Sequence, residues 1–139
     1  MTAMFRKTLL KNLDELIRLE PEVDAFLARH NTPAPAAFRA RLALEEIIRN
    51  LIDHSPATQR IEVRLGVETD RLVLEIEDDG DYFDLRSAPE FHKSQPLEER
   101  RPGGMGIQLV RSLVQEIDYQ RLPSSNRLRL VIDTPPCQQ

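Results

Sequence analysis

Apolar positions recur with helical spacing most clearly between Ala36 and His54. Leu44, Ile47, Ile48, Leu51 and Ile52 form one stripe, which predicts a helix packed on a core. At about 100° per residue, Glu46, Asn50 and His54 form a second, polar stripe well off the first. Pro56 ends this helix. Before it, Leu13, Leu16, Ile17, Val23, Phe26 and Leu27 predict helix to about Arg29. Pro21 interrupts that stretch, either kinking the helix or beginning its main piece. Asn31-Thr-Pro-Ala-Pro35 is a break and a helix entry, and residues 4–10 read as a short edge strand.

After Pro56 the period changes to two. Ile61, Val63, Leu65 and Val67 oppose Glu62 and Arg64; Leu72, Leu74 and Ile76 oppose Val73, Glu75 and Glu77; Leu128 and Leu130 oppose Arg127 and Arg129. One apolar and one mostly polar face predicts an antiparallel sheet covered by helices on one side. A hairpin connection joins Val67 to Leu72. Gly80 to Gly103 has no convincing periodicity and contains Pro89, Pro96 and Pro102, as a lid, a binding loop or a disordered segment does. A helix is expected from about Met105 to Glu116, with Ile107, Val110, Leu113 and Val114 inward. A strand near Ile117 to Leu122 and a turn at Pro123-Ser-Ser-Asn126 complete the pattern. There is no internal repeat, so the expectation is one α+β domain over residues 1–139.

Composition narrows the function classes. A net charge of -4 argues against direct nucleic-acid binding. No apolar run approaches a membrane span, and Met1 to Leu10 has no signal-like core, so a cytoplasmic location is expected. Cys137 is the only cysteine, in a Pro-Pro-Cys-Gln-Gln tail, and reads as incidental. His30, His54 and His92 lack zinc-ligand spacing. A P-loop and a dinucleotide glycine motif are both absent, and no serine sits in a nucleophile elbow.

Three short motifs hold the candidate chemistry. Glu46 and Asn50 are one turn apart on a face of their own. An Asn amide oxygen can ligate a hard cation beside phosphates and water, and a Glu there can take a proton from a hydroxyl; the same residues also suit a solvated helix face. Asp78 shares a face with Leu72, Leu74 and Ile76, which puts a carboxylate on the apolar side just before Gly80. Such a carboxylate needs donors, of which an adenine 6-amino group is one, and Gly80 would let a ring approach the backbone. Asp78-Asp-Gly-Asp81 is equally good turn chemistry, with Asp79 and Asp81 facing solvent. Gly103, Gly104 and Gly106 precede a helix, whose N-terminal N–H groups favour phosphate or whose loop simply flexes. Arg100 and Arg101 stand just before them, as phosphate contacts or a surface basic pair.

These residues resemble the GHKL ATPases, the superfamily of gyrase, Hsp90, histidine kinases and MutL. Glu46-x-x-x-Asn50-x-x-x-His54 looks like their first box. Asp78-Asp-Gly80-Asp-Tyr-Phe83-Asp84 resembles their second, with Tyr82 where the family often carries Gly, and Arg101-Pro-Gly-Gly-Met-Gly106 resembles a reduced glycine box. The similarity covers roughly residues 5–133 and is nearest the bacterial anti-sigma-factor serine/threonine kinases, which Pro96-Leu-Glu-Glu-Arg100 and Asn126-Arg-Leu128 also resemble. The resemblance implies a two-layer sandwich with a mixed, mainly antiparallel sheet under helices. It implies ATP and Mg²⁺ between the long helix and the lid, with Asn50 on the metal and His54, on the same helix face, as a further cofactor-binding residue. Asp78 would meet the adenine amino group, Gly80 the ring, and Gly104 and Gly106 the phosphates. Glu46 would be the base for a partner's Ser or Thr hydroxyl. The implied partners are an anti-anti-sigma protein as substrate, a sigma factor as sequestered ligand, and a second copy in a homodimer. The alternative is a non-catalytic ATP-binding module whose lid switches partners.

Overall fold

The computed structural model describes residues 3–84 and 106–135. The elements are β1 (Ala3–Leu10), α1 (Leu13–Arg29), α2 (Ala34–His54), β2 (Arg60–Val67), β3 (Arg71–Asp78), α3 (Gly106–Leu113), β4 (Glu116–Arg121) and β5 (Asn126–Asp133). The strands form one sheet in the order β1-β2-β3-β5-β4. All four pairings are antiparallel. The two-layer α+β architecture is therefore the expected one, and its sheet, among the described residues, has no parallel pair. Gly103, Gly104, Arg100, Arg101, His92 and Cys137 lie outside the described residues.

The alternation read from the sequence is the burial pattern observed. Ile61, Val63, Leu65, Leu72, Leu74, Ile76, Leu128, Leu130 and Ile132 point into one core. Leu16, Leu19, Val23 and Leu27 of α1, Leu44, Ile47 and Ile48 of α2, and Ile107 and Val110 of α3 fill the same core from the helical layer. The opposite face of the sheet is charged. Arg64 reaches Glu62 at 3.0 Å and Glu75 and Glu77 at 3.3 Å, and Arg127 joins Glu77 at 3.1 Å. Pairs this exposed add little stability each, but they keep that face wet and fix which side meets the helices.

Helix ends follow local chemistry. The Asn12 side chain accepts from the Glu15 N–H at 2.8 Å, and Asp14 and Glu15 sit in the first turn of α1, where the helix dipole favours acids. The helix runs unbroken through Pro21, which is exposed, so water can serve the Ile17 carbonyl that proline leaves without an N–H partner. Its end is a Schellman turn. Asn31 takes φ 58°, its N–H reaches the Ala28 carbonyl at 3.1 Å, and the Thr32 N–H reaches Leu27 at 3.0 Å. By contrast, α3 stops at Leu113, three residues before the Glu116 expected from periodicity. The ladder with β5 begins at Glu116 opposite Val131, and the Gln115 N–H already bonds the Val131 carbonyl at 2.8 Å. Sheet pairing wins those residues from the helix. No helix among the described residues is long and apolar enough to cross a membrane.

Candidate functional site

The C-terminal part of α2, the ends of β3 and β4 and the start of β5 form an open cleft. It is lined by Ile47, Asn50, Leu51, Ile76, Asp78, Phe83, Tyr119, Asn126 and Leu128. Apolar walls with two amides and one carboxylate suit a flat, partly polar ligand. Asn50 and Asp78, predicted from separate motifs 28 positions apart in number (78 less 50), line this one cleft.

Asp78 is 7% exposed and well held. Its Oδ1 accepts from the Thr58 hydroxyl at 2.9 Å, the Gly80 N–H at 2.9 Å and Asn126 Nδ2 at 3.2 Å. All three bonds fall on one oxygen, so Oδ2 is the acceptor left to the cleft among the described residues. Packing alone requires a glycine at position 80. A Cβ there would lie 2.2 Å from Thr58 Oγ1, 2.8 Å from Asp78 Oδ1 and 3.0 Å from Ser55 Oγ. The space belongs to a hydroxyl pair, Ser55 and Thr58, 2.6 Å apart. Asp79 is exposed as expected, yet its Oδ1 accepts from the N–H groups of Gln59 at 2.7 Å and Arg60 at 3.0 Å. Partial burial works against its charge, but these backbone donors outweigh it and hold the carboxyl below its ordinary range.

Asn50 is also 7% exposed, and its Nδ2 is buried with no hydrogen-bond partner among the described residues. An unsatisfied buried amide costs on the order of 1–3 kcal/mol, so its place in a cleft needs a reason. Glu46, one turn earlier, is half-buried. Burial first, and then the neighbouring Glu45, raise its pKa against the opposing Arg49. A carboxylate with raised proton affinity suits a general base. Glu45 is itself paired to Arg49 at 3.6 Å. Neither Glu46 nor His54 is among the lining residues; His54 is exposed at the end of α2. Gly106 opens α3, as its motif predicts.

Two buried residues hold the site in ways that the motifs do not state. Thr58, 1% exposed, follows Pro56 in a segment that reads only as a break. Asn126, 5% exposed, reads as a turn residue and as part of the family-like Asn126-Arg-Leu128, with no contact assigned to its side chain. Its Nδ2 also donates to the Asp81 carbonyl at 2.8 Å, and its Oδ1 accepts from the Tyr119 hydroxyl at 2.5 Å, Arg121 Nη1 at 3.2 Å and the Phe83 N–H at 3.3 Å. Burial, and then Tyr82, push the Tyr119 phenol above its usual pKa, which keeps it a donor. Tyr82 itself is exposed and meets Tyr119 edge-on, ring centres 5.8 Å apart. The register that places Asn126 opposite Asp78 is the signal that would have exposed it.

Comparison with known proteins bears on the family and the fold. The pattern of the histidine kinase-like ATPase domain family matches residues 10–132. A serine/threonine-protein kinase, BtrW, of Bordetella bronchiseptica is 29% identical over 114 residues, 78% of each chain. A serine-protein kinase, RsbW, of Oceanobacillus iheyensis is 27% identical over 84 residues, 55% of this chain. The match spans about half of that relative's length, 53%. The crystal structure of the RsbU and RsbW domains of a Mycobacterium tuberculosis protein superposes with a TM-score of 0.68 at 14% identity, over 96% of this chain and 34% of that one. That likeness is one of fold.

Proposed function

The chain belongs to the histidine kinase-like ATPase domain family, and from that premise we propose that it is an ATP-dependent serine/threonine protein kinase of the anti-sigma-factor kind. The observation that carries this reading is the cleft shared by a carboxylate fixed through one oxygen and an asparagine whose buried Nδ2 has no partner among the described residues. Asp78 Oδ2 would accept from the adenine 6-amino group. Asn50 would supply an amide oxygen to Mg²⁺ and satisfy its own orphaned group beside the phosphates. Among the described residues no three His, Cys, Asp or Glu side chains cluster as metal ligands. A single Asn50 amide oxygen would suit a hard cation that completes its shell with phosphate and water oxygens. When bound, Mg²⁺ would neutralise phosphate charge.

The remaining roles belong to side chains around the cleft. Glu46, its proton affinity raised by burial, would take the proton of the accepting hydroxyl. His54 would stand at the outer rim, while Gly104 and Gly106 would meet the phosphates with backbone N–H groups. The accepting hydroxyl would be a Ser or Thr of an anti-anti-sigma protein, and a sigma factor would be the sequestered ligand. The protein would act as a cytoplasmic homodimer. The named serine kinases among its relatives support the chemistry.

Calorimetric titration with ATP and Mg²⁺ tests the pocket. Wild type should bind, and Asn50→Ala should bind about tenfold or more weakly. Glu46→Gln should bind as wild type does, yet lose about 10²–10⁴ in phosphotransfer to a protein substrate. A folded wild type that binds no nucleotide would sink the proposal. Binding without transfer by any partner would leave the ATP-binding switch module instead.

A further inference from the structure

Asn126 does something that its place in a turn does not require. Its side-chain amide gives one donor and one acceptor to the Asp81 carbonyl and the Phe83 N–H, two residues apart on the same chain. A neighbouring strand offers its partner that same pattern of alternate donor and acceptor. The amide thus acts as a short piece of strand for residues 81–83, just past the end of β3. Arg121 adds a bond to the Gly80 carbonyl at 2.9 Å. The segment so held carries Phe83 into the cleft wall.

The same Nδ2 also donates to Asp78 Oδ1. With Thr58 and Gly80 it saturates that oxygen and fixes the carboxylate of a residue that lines the cleft, which leaves Oδ2 as its open acceptor among the described residues. Aspartate has the shape but no donor, and alanine has neither group. We propose that Asn126 is a positioning residue that sets base specificity: by fixing the Asp78 carboxylate and the Phe83 wall together, it makes the cleft prefer a 6-amino purine over a 6-oxo purine. The inference rests on the nucleotide reading above. A 6-oxo group presents an oxygen to Asp78 Oδ2, and a fixed carboxylate cannot turn away from that clash.

The test uses the full chain with ATP and with inosine triphosphate, which has oxygen in place of the amino group. Wild type should bind ATP far better. Asn126→Asp and Asn126→Ala should lose about tenfold or more in ATP affinity while the inosine nucleotide changes within about threefold, so the ratio collapses. Amide exchange separates the two arms of the side chain. The Phe83 N–H should stay protected in Asn126→Asp, which keeps an acceptor, and lose protection in Asn126→Ala. Equal loss for both nucleotides would overturn the proposal, as would unchanged Phe83 exchange in the alanine variant. If alanine prevents folding, Asn126→Asp still decides the nucleotide ratio. A wild type that binds neither nucleotide overturns the kinase reading itself, whereas a selective wild type whose variants keep the ratio overturns only the role of Asn126.

Discussion

Two buried asparagines face the same cleft and live in opposite circumstances. Asn126, at the start of β5, has both ends of its amide fully engaged, by side chains and by main chain. Asn50, on α2, keeps a buried Nδ2 without a partner among the described residues. Their exposures, 5% and 7%, are nearly equal, so burial does not distinguish them. Hydrogen bonding does. A saturated amide is part of the framework, and an unsaturated one at a cleft is held ready for something that binds.

Substitutions can break or sharpen this contrast. The largest effect belongs to Asn126→Ala, which strands the Phe83 N–H and the Asp81 carbonyl. It should cost about 3 kcal/mol in urea unfolding. Gly80→Ala attacks the same framework by crowding, since its Cβ would collide with Thr58 and Asp78, both buried and bonded. A loss of about 2 kcal/mol is expected, partly restored by adding Thr58→Ala. Asn50→Leu should behave in the opposite way. Removing an unsatisfied amide should leave stability unchanged or raise it by up to about 1 kcal/mol, while binding of ATP with Mg²⁺ is lost.

The smallest effect is that of Glu46→Gln. The folded pKa of Glu46 is raised, so its ionised form weakens the fold. That penalty is absent below the unfolded pKa, grows as pH rises toward the folded pKa, and is complete above it. Thermal unfolding should find Glu46→Gln equal to wild type in acid and a few tenths of a kcal/mol more stable near neutrality, small because the side chain is largely solvent-screened.

The sequence made the elements legible where one periodicity ruled. The strands β2, β3 and β5 and the helix α2 follow from alternation and stripes because each buries a single face. It was less legible where two demands met. Val114 to Glu116 continue the helical stripe of α3, yet cross-strand pairing with Val131 claims that end. Pro21 reads as a kink or as the start of the main helical piece, yet α1 runs from Leu13 through it to Arg29. In the site, Asp78 and Asn50 could be found because a polar residue stood at a position of clear periodicity. The contacts of Thr58 and Asn126 could not, because each takes its role from a partner far along the chain: Thr58 lies 20 residues from Asp78, and Asn126, although part of a family-like stretch, lies 48.

That separation of 48 residues bears on how the molecule assembles. Strands β2 and β3 form one hairpin, and β4 and β5 form another, each joined by a short turn. Short connections close quickly, and the long excursion between β3 and β5 closes slowly. Asp78 belongs to the first hairpin and Asn126 to the second. The cleft is therefore a seam between two hairpins. In a refolding experiment, recovery of nucleotide binding should trail the recovery of strand signal, because only the pairing of β3 with β5 brings these two residues together.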